Sequence, residues 1–575
     1  MKHYAWLPLC RWALAAALAL AAGRGAAQPL PTVPPGPRHE VRAVWLTTLW
    51  GLDWPEQQAC TLEQARQQQE ALCRRLDRLQ AAGINTILFQ TRIRATTAYP
   101  SALEPWDPVF AGRPGQSPGY DPLAFAVAEC HRRGLEIQAW VVAFPIGNTA
   151  AMRRLGKQAL TRRRPELCRR AGDQWFMDPG VPGTADYLAA LCKEIVTRYD
   201  VDGIHLDYIR YPEKGIPWND NTTYRKYGKG MDRAAWRTQN VTRCVARIHE
   251  AIKAVRPWVK LSCSPVGKYA DLPRQSSMGW NARDAVNQEA QEWLKRGIMD
   301  ELFPMMYFDG VHFYPFAADW AEHAAGRIVA PGLGIYFLSP EQKDWDLDAV
   351  RRQLCFLRIV GVGGAAFFRE RFLSDNVKGV YDLLAADFYR RPALQPPMTW
   401  ADSIAPSAPR VRMVRQGHTL RLDWSPATDN TAGAPIRYRI YRCEADTFAP
   451  ERDRLLAEVK DTTAFAVTPA LPRLLYSRYA VTAVDAFGNE SPAPQTVSLD
   501  ADTAPPFATT DGRLAVPDCD LDTELLLVAD AAGRTVLTLL RRDTIDVKAL
   551  APGAYELQAL GRKGTRHRLL LFWKK

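Results

Sequence analysis

The sequence predicts an α/β protein: a (β/α)8 TIM barrel followed by an all-β sandwich and a small C-terminal β domain. Between residues 41 and 368, eight short apolar runs alternate with longer amphipathic segments. A proline-rich stretch at 390–409 ends this pattern, and from residue 410 short runs alternate polar and apolar residues between turns. Strand and helix patterns that alternate over about 350 residues are typical of a parallel barrel.

The predicted strands and helices of the barrel follow from hydrophobic periodicity. The predicted strands are residues 41–49, 84–90, 135–142, 203–208, 259–264, 300–307, 328–336 and 363–368. The helical patterns lie at residues 62–82, 185–199, 234–255, 285–296 and 348–360. Barrels of this kind carry their active sites on the loops that follow the strands.

The N-terminus predicts export. Lys2 and Arg11 precede an apolar run at 12–22, and small residues at 25–27 follow it. This is the pattern of a cleaved secretory signal over residues 1–27, with an apolar run too short to span a bilayer. We expect a protein of the periplasm, the cell surface or the extracellular space, with no transmembrane segment.

Composition argues against several function classes. The formal net charge is +12, but lysine and arginine are interspersed with acidic residues and form no basic stripe, which argues against a nucleic-acid partner. None of the 11 cysteines forms a CxxC pair. We therefore predict no metal site and no cofactor.

The chemistry is expected around the segment DGIHLDYIRYP, residues 202–212. Asp207 ends the fourth predicted strand, so it faces the barrel mouth, and the loops after the first strands carry tryptophans beside acids. A single tryptophan most often packs in a core, but such a cluster suits a sugar, which stacks on aromatic rings. The candidate substrate-binding residues are Trp50, Trp54, Arg92, Arg94, Trp106, His205, Arg210, Tyr211 and Tyr307.

Six ordered blocks carry a resemblance to a known family. They include RAVWLTTLWGLDWP, FQTRIRATTAYPSALEPW, VDGIHLDYIRYP and GVGGAAFF. Over residues 40–389 the chain resembles the bacterial glycosyl-hydrolase-like barrel family, named for its similarity to glycoside hydrolase family ten. The family includes enzymes that cut peptidoglycan glycan strands stripped of their peptides. The resemblance implies a glycoside hydrolase, whose partner is a glycan, most naturally cell-wall peptidoglycan.

The chain departs from the family pattern at several positions. Many members carry a second acid where this chain has Tyr208, a histidine is common where Gln138 stands, and a glutamine often precedes the aromatic of strand six, where this chain has methionines. These departures put the substrate subsites in question.

Glycoside hydrolysis needs a general acid and a second carboxylate that acts as base or nucleophile. Asp207 is the first choice for catalysis. For its partner we rank Asp309 first, by analogy with related barrels, then Glu104 and Glu370. Catalysis assisted by an N-acetyl group of the substrate would need one protein acid. Retention and inversion both stay open.

Supporting roles are expected for several of the other polar residues. His205 shares a strand face with Asp207 and is expected to orient the acid or bind a hydroxyl, with a satisfied core histidine as the alternative. Arg92, Arg94 and Arg210 are candidates to contact the lactyl carboxylate of muramic acid or to lower the pKa of an acid.

The two C-terminal regions carry resemblances of their own. The runs LRLDW, RYRIYR and SRYAVTAVD and the placement of Trp424 resemble a fibronectin type III module over residues 410–500. Residues 505–575 resemble the C-terminal sorting domain of type IX secretion substrates, which implies the secretion machinery as a partner. An ordinary β-sandwich appendage is the alternative reading of this tail.

The resulting hypothesis is a secreted glycoside hydrolase that acts on a β-linked amino-sugar glycan of the cell wall. A hydrolase of another polysaccharide is the second hypothesis. The third is a non-catalytic glycan-binding barrel, because the second acid beside Asp207 is missing.

Overall fold

The structure is a computed structural model of the 575-residue chain. It describes residues 33–574, apart from residues 278–279, 417–418, 444–446, 451–452, 468–477, 493–494, 499–511, 517–522, 563 and 565. The predicted signal at residues 1–27 lies outside the described residues.

A parallel sheet forms the core of the first region. Its strands are β1 (Val41–Leu46), β2 (Thr86–Arg92), β3 (Glu136–Val142), β4 (Gly203–Asp207), β5 (Lys260–Cys263), β6 (Glu301–Leu302), β7 in two segments (Ile328–Val329 and Gly332–Leu333) and β8 (Gly364–Phe367). They pair in chain order from β1 to β7, and β8 pairs with β1. Each of the eight predicted strands overlaps one of these strands, although β6 and the two segments of β7 are shorter than predicted.

The sheet closes at β7. Its first segment pairs with β6 and its second segment with β8, so the two edges of the nine-segment sheet are halves of one stretch of chain. Ala330 donates from its backbone to Leu302 O at 2.9 Å, and Ala366 donates to Pro331 O at 3.0 Å. The eight strands therefore form a barrel.

Glycine makes the contact between β8 and β1 possible. A Cβ atom at Gly364 would lie 2.0 Å from the carbonyl oxygen of Val41, and Gly364 has a φ of +149°. A larger residue would force the two strands apart, because no side chain fits between two hydrogen-bonded backbones at this distance.

The strands are continuously apolar because both faces of the sheet are buried. One face fills the barrel with Trp45, Leu88, Trp140 and Phe303. The other face packs against the surrounding helices.

Seven principal helices follow the first seven strands. They are α1 (Leu62–Ala81), α2 (Pro122–Arg132), α3 (Pro182–Arg198), α4 (Arg233–Lys253), α5 (Ala290–Lys295), α6 (Tyr314–Glu322) and α7 (Leu347–Val360). Shorter helical segments lie at Pro108–Ala111, Thr149–Leu155, Leu160–Arg163, Asn221–Tyr227, Ala282–Val286, Glu370–Ser374, Val380–Asp382 and Leu383–Phe388. Within the described residues we find no helix that is long and apolar enough to cross a membrane.

Helix α1 shows how the sequence sets a helix boundary. Thr61 caps its N-terminus: the hydroxyl accepts from Gln64 N at 3.2 Å, and Gln64 Oε1 accepts from Thr61 N at 3.1 Å. This reciprocal capping box satisfies two backbone donors. Leu72, Leu76 and Leu79, spaced at helical intervals, are buried against the barrel.

A three-stranded antiparallel sheet extends the loop after β3. Its strands are Pro145–Asn148, Cys168–Ala171 and Gln174–Met177, and the last lies in the middle. The loop after β4, with Trp218 and Tyr211, packs on this sheet through Phe176, whose ring centroid lies 5.8 Å from that of Trp218.

The second region contains two three-stranded antiparallel sheets. The strands are β9 (Val411–Gln416), β10 (Thr419–Trp424), β11 (Arg437–Cys443), β12 (Arg454–Lys460), β13 (Ala464–Val467) and β14 (Arg478–Val484). The sheet orders are β9-β10-β13 and β12-β11-β14. Leu422 and Trp424 of the first sheet pack against Tyr438, Ile440 and Val481 of the second.

The C-terminal region is also antiparallel. Its strands are β15 (Arg513–Ala515), β16 (Thr523–Asp530), β17 (Thr535–Leu540), β18 (Thr544–Asp546), β19 (Gly553–Gly561) and β20 (Arg566–Lys574). Four of them form a sheet in the order β17-β16-β19-β20, and β15 pairs with β18.

The proline-rich connection at 390–409 lies against the N-terminal end of the barrel. Gln395 donates to Asn85 O at 3.1 Å, and Trp400 Nε1 donates to Asp300 Oδ1 at 3.1 Å. The Trp400 ring packs under the interior residues of the barrel, with the Arg327 guanidinium 4.7 Å from its centroid. The connection therefore helps to close the bottom of the barrel.

The second region contacts the same end of the barrel. Lys460 Nζ lies 2.6 Å from Asp200 Oδ2, and Arg38 forms an ion pair with Glu490. The backbone N–H of Met398 donates to Phe487 O at 2.8 Å. In the described part of this region, these contacts lie at the end of the barrel opposite to the carboxyl ends of the strands.

Replacing Trp400 with alanine is expected to destabilise the barrel by about 2 kcal/mol, because the indole loses buried area and its hydrogen bond. Chemical unfolding followed by circular dichroism measures the change. The matched control is Trp50→Ala, which removes the same side chain from a site where it is 74% exposed. Equal unfolding free energies for the two variants would contradict the role given to Trp400.

Candidate active site

Asp207 is the last residue of β4 and lies buried at the carboxyl end of the barrel. Its Oδ2 accepts a hydrogen bond from Trp140 Nε1 at 3.2 Å. Its Oδ1 accepts from Ser264 Oγ at 3.0 Å and from the backbone N–H of Tyr208 at 2.8 Å. Trp140 lies on β3 and Ser264 directly follows β5, so both neighbouring strands fix the orientation of this carboxyl group.

Burial raises the pKa of Asp207 above its ordinary value, because the charged form loses its water. The Arg210 cation and the three hydrogen bonds lower it, but they do not cancel the effect of burial. A carboxyl group that holds its proton to a higher pH than usual is suited to protonate the oxygen of a leaving group.

Arginine and aromatic side chains stack beside Asp207. The Arg210 guanidinium lies 4.6 Å from the ring centroid of Tyr208 and 5.8 Å from that of Trp280. It also forms an ion pair of 2.7 Å with Glu213. Tyr208 is 41% exposed, whereas Arg210 is almost completely buried, so the ring of Tyr208 is the part of this stack that a ligand can reach.

A second pair of this type stands on the loops after β1 and β2. Arg94 lies 5.5 Å from the ring centroid of Trp50, which is 74% exposed. The cation of Arg94 also lowers the pKa of Tyr208, which burial raises. Trp50 and Tyr208 both have left-handed backbones, with φ of 56° and 50°. Such backbones cost energy in non-glycine residues and recur at ligand sites.

Tyr307 follows β6 at the carboxyl end of the barrel. Its ring stacks on Phe368 at 5.4 Å and meets the edge of Tyr336 at 5.8 Å. Burial and the charge of Asp207 raise the pKa of Tyr307 well above its usual value, so its hydroxyl stays protonated. Tyr307 is therefore a neutral hydrogen-bonding group beside Asp207.

His205 lies one layer below Asp207 inside the barrel. Its Nε2 accepts from Trp45 Nε1 at 3.1 Å, so its proton is on Nδ1, which donates to Ser262 Oγ at 2.9 Å. Ser262 donates to Gln138 Oε1 at 2.6 Å, and Gln138 Nε2 donates to Glu301 at 2.7 Å. Burial lowers the pKa of His205 to about 3. His205 is thus neutral and completely covered, which leaves it no contact with a ligand.

Glu104 and Arg92 form a buried, bidentate ion pair away from the barrel interior. Arg92 Nε and Nη2 donate to the two carboxylate oxygens at 2.8 and 2.7 Å. Arg92 also donates to the carbonyls at the end of β3, and Glu104 accepts from the Tyr187 hydroxyl of α3 at 3.2 Å. A register shift between Gln90 and Arg92 turns the arginine outward. The pair fixes the loop after β2 to β3 and α3.

The other two carboxylates ranked from the sequence lie in different environments. Glu370 is completely buried against Arg75 and Ser374, and burial raises its pKa to about 7 against the opposing charge of Arg75. Asp309 is exposed on the loop after β6. Asp309 is therefore the more accessible of the two.

Three aromatic residues named from the sequence have different exposures. Trp54 is completely buried, with its N–H bonded to Gln68 O at 2.9 Å, and offers no ring face to a ligand. Tyr211 is 2% exposed, and its hydroxyl accepts from Asn240 at 3.1 Å. Trp106 is half-buried on the loop after β2.

The sequence did not single out Trp140, Ser264, Glu213 and Trp280. The sequence could have indicated Trp140, because this residue faces the barrel interior from β3, the strand that pairs with the one ending in Asp207. Glu213 lies three residues after Arg210, where a pair across a turn is common. Trp280 lies about 70 residues further along the chain, and nothing in the local sequence indicates its contact with Arg210.

Among the described residues, one group of side chains has metal-binding spacing. Asp319, Glu322 and His323 on α6 and just beyond it bring one ligand atom each within 4.8 Å of one another. Gln291 donates to Asp319, and Arg274 donates to Glu322, so protein cations and amides already contact these carboxylates. The group belongs to the helical layer and not to the mouth.

Comparisons with known proteins identify a family that the barrel region resembles. The model of the family described as glycosyl hydrolase-like 10 matches residues 40–336. Glycosyl hydrolase YngK of Bacillus subtilis (strain 168) is 32% identical over 480 residues, which cover 79% of this chain and 92% of that protein.

Two further similarities cover less of the chain. Glycosyl hydrolase DigH of Escherichia coli (strain K12) is 30% identical over 367 residues, 58% of this chain and 84% of that protein. The solved PgaB (BpsB) glycoside hydrolase domain from Bordetella bronchiseptica aligns with a TM-score of 0.41 at 14% identity, covering 61% of this chain and 99% of that chain.

Substitution separates a structural carboxylate from one at the mouth. Glu104→Gln is expected to cost about 3–5 kcal/mol of unfolding free energy, because it breaks a buried ion pair. Asp207→Asn is expected to leave stability at pH 7 unchanged or higher. Because folding raises the pKa of Asp207, the folded protein loses stability as pH rises and this carboxyl group ionises. Asparagine does not ionise, so the variant is not subject to this loss. Denaturant unfolding at pH 7 measures both, and a large loss for Asp207→Asn would contradict this assignment.

Proposed function

Because this chain belongs to the glycosyl hydrolase-like 10 family and is a glycoside hydrolase, we propose that it cleaves peptide-free glycan strands of peptidoglycan with Asp207 as proton donor. The observation that carries the proposal is the burial of Asp207 at the barrel mouth, with a raised pKa and exposed aromatic rings beside it. Such rings can stack on the apolar faces of sugars.

The proton of Asp207 passes to the glycosidic oxygen as the bond from that oxygen to the anomeric carbon breaks. The sugar develops positive charge, which a second group must stabilise or attack. Glu104 and Glu370 are held in buried ion pairs, so we retain Asp309 and the 2-acetamido group of the substrate as candidates for this second role. An acetamido group is available on every residue of a peptidoglycan strand.

The choice of a muramic-acid glycan rests on Arg94. In the part of the chain that the structure describes, Arg94 has no carboxylate within ion-pairing distance, and it lies over the exposed ring of Trp50. A sugar that stacks on Trp50 and carries a lactyl carboxylate would supply the missing anion. Peptide-free strands expose this carboxylate, because no peptide is attached to it.

Export and the C-terminal regions complete the proposal. The protein is secreted through the signal at residues 1–27 and acts in the periplasm or outside the cell. Residues 410–500 are a fibronectin type III module, an assignment supported by the two packed antiparallel sheets. Residues 505–575 are a sorting domain for type IX secretion, supported by the antiparallel pairing of β15 to β20 and the glycine turns of the sequence.

Asp207→Asn is expected to lower turnover of peptide-free glycan strands by about 10²–10⁴-fold, the contribution typical of a general acid. The assay incubates purified mature enzyme with these strands, chitin oligomers and plant polysaccharides and counts new reducing ends. Glu250→Gln serves as a control, because it changes an exposed carboxylate of α4 that pairs with Arg247 in the helical layer. Full turnover by Asp207→Asn would contradict the assignment.

The same panel separates the alternatives. Cleavage confined to another polysaccharide would replace the proposed substrate but keep the reaction. Retained binding of glycan strands without new reducing ends would favour a glycan-binding barrel.

Deleting residues 505–575 is expected to trap active enzyme in the periplasm of a host with type IX secretion. Glycosidase activity in periplasmic and extracellular fractions gives the measurement, and activity in the periplasm shows that the truncated chain folds. Normal release of the truncated enzyme would refute the sorting role.

A further inference from the structure

Arg210 and Glu213 form an ion pair that the hydrolytic reaction outlined above does not use. Arg210 follows β4 by three residues and is 7% exposed. One guanidinium nitrogen, Nη1, donates to Glu213 Oε2 at 2.7 Å, and the group is packed between Tyr208 and Trp280. Its Nε is buried and has no hydrogen-bond partner in the described structure. A cation is therefore held close to the mouth with one donor unused.

The surroundings of Asp207 make this cation important. The titratable and charged side chains around Asp207 come from four elements: His205 of β4, Tyr208 and Arg210 after β4, Cys263 of β5 and Tyr307 after β6. Burial lowers the pKa of His205 and raises those of Cys263, Tyr208 and Tyr307. Near pH 7, therefore, these four side chains are neutral, and Arg210 is the charged one among the five described side chains named here.

Arg210 does not hydrogen bond to Asp207 in the described structure; it donates to Glu213 instead. Its effect on Asp207 is electrostatic and acts through space, in a buried region where charges are poorly screened. Glu213, whose side chain is 41% exposed, holds the guanidinium from the solvent side and partly offsets its charge. The position and net charge of the pair decide how strongly Asp207 is driven toward its ionised form.

We propose that Arg210 is a positioning residue that sets the ionisation of Asp207, and that Glu213 tunes this effect by tethering the guanidinium. The inference rests on the proposed role of Asp207 as proton donor. When Asp207 gives its proton to the glycosidic oxygen, the new carboxylate gains the attraction of Arg210. Asp207 must keep its proton until the substrate binds, although the attraction of Arg210 favours the ionised form. The negative charge of Glu213 weakens that attraction.

The two residues are therefore expected to shift the pH profile in opposite directions. The active form of a proton donor is protonated, so Asp207 governs the basic limb of kcat/KM against pH. Arg210→Met removes the cation and is expected to move this limb to higher pH by roughly one unit. Glu213→Gln removes the tether and a negative charge and is expected to move the limb to lower pH, by roughly half a unit.

The experiment measures kcat/KM on peptide-free peptidoglycan strands across the pH range for the full-length mature enzyme and each variant. Arg210→Lys keeps the charge and is expected to restore most of the limb position. The matched control is Arg247→Met, which removes an exposed arginine of α4 that pairs with a glutamate at 2.7 Å, as Arg210 does, but away from the mouth. Its profile should coincide with that of the wild type.

The outcomes are separable. Loss of activity in Arg210→Met and Glu213→Gln without any shift of the limb would overturn the inference and indicate a structural pair. If Arg210→Met does not fold, Glu213→Gln still tests the proposal, because Glu213 is partly exposed. Full turnover by Asp207→Asn would overturn the proposed function itself. If Asp207→Asn is inactive but Arg210→Met and Glu213→Gln leave the basic limb unshifted, the inference fails and the proposed function stands.

Discussion

The hydrogen bonds of β7 to both of its neighbours are the constraint on which the site depends. Because this strand pairs with β6 through one segment and with β8 through the other, the parallel sheet has no free edge. Closure brings the carboxyl ends of all eight strands to one mouth. The groups that surround Asp207 come from strands and loops far apart in sequence, and they meet because the sheet closes.

A hydrogen-bonded layer of neutral side chains lies directly below Asp207 inside the barrel. The hydrogen-bonded chain from Trp45 through His205 and Ser262 has a fixed direction, since the indole can only donate, and it leaves His205 neutral. The side chains directly below Asp207 are therefore neutral, whereas Arg210 and Glu213 at the mouth are charged. A nearby charge such as that of Arg210 acts on a buried acid more strongly than on an exposed one, because charges in a buried region are poorly screened.

Two of the acids ranked from the sequence are paired with arginines away from the barrel interior. Glu104 and Arg92 form a bidentate ion pair, and Glu370 pairs with Arg75. Strict alternation along β2 would have pointed Arg92 into the barrel. The register shift after Gln90 reverses its direction, a local irregularity that no periodic pattern in the sequence reveals.

The sequence by itself determined the eight strands and the position of Asp207 at the end of the fourth, because buried parallel strands require continuous apolar runs bounded by polar turns. It also indicated antiparallel β structure after residue 410. The tertiary structure decided which side chains meet. Trp140 and Ser264 donate hydrogen bonds to Asp207, and the ring of Trp280 packs beside Arg210. It also decided that Trp54 is buried in the core. These contacts join residues tens of positions apart, and their geometry depends on strand register and barrel closure, which local sequence does not encode.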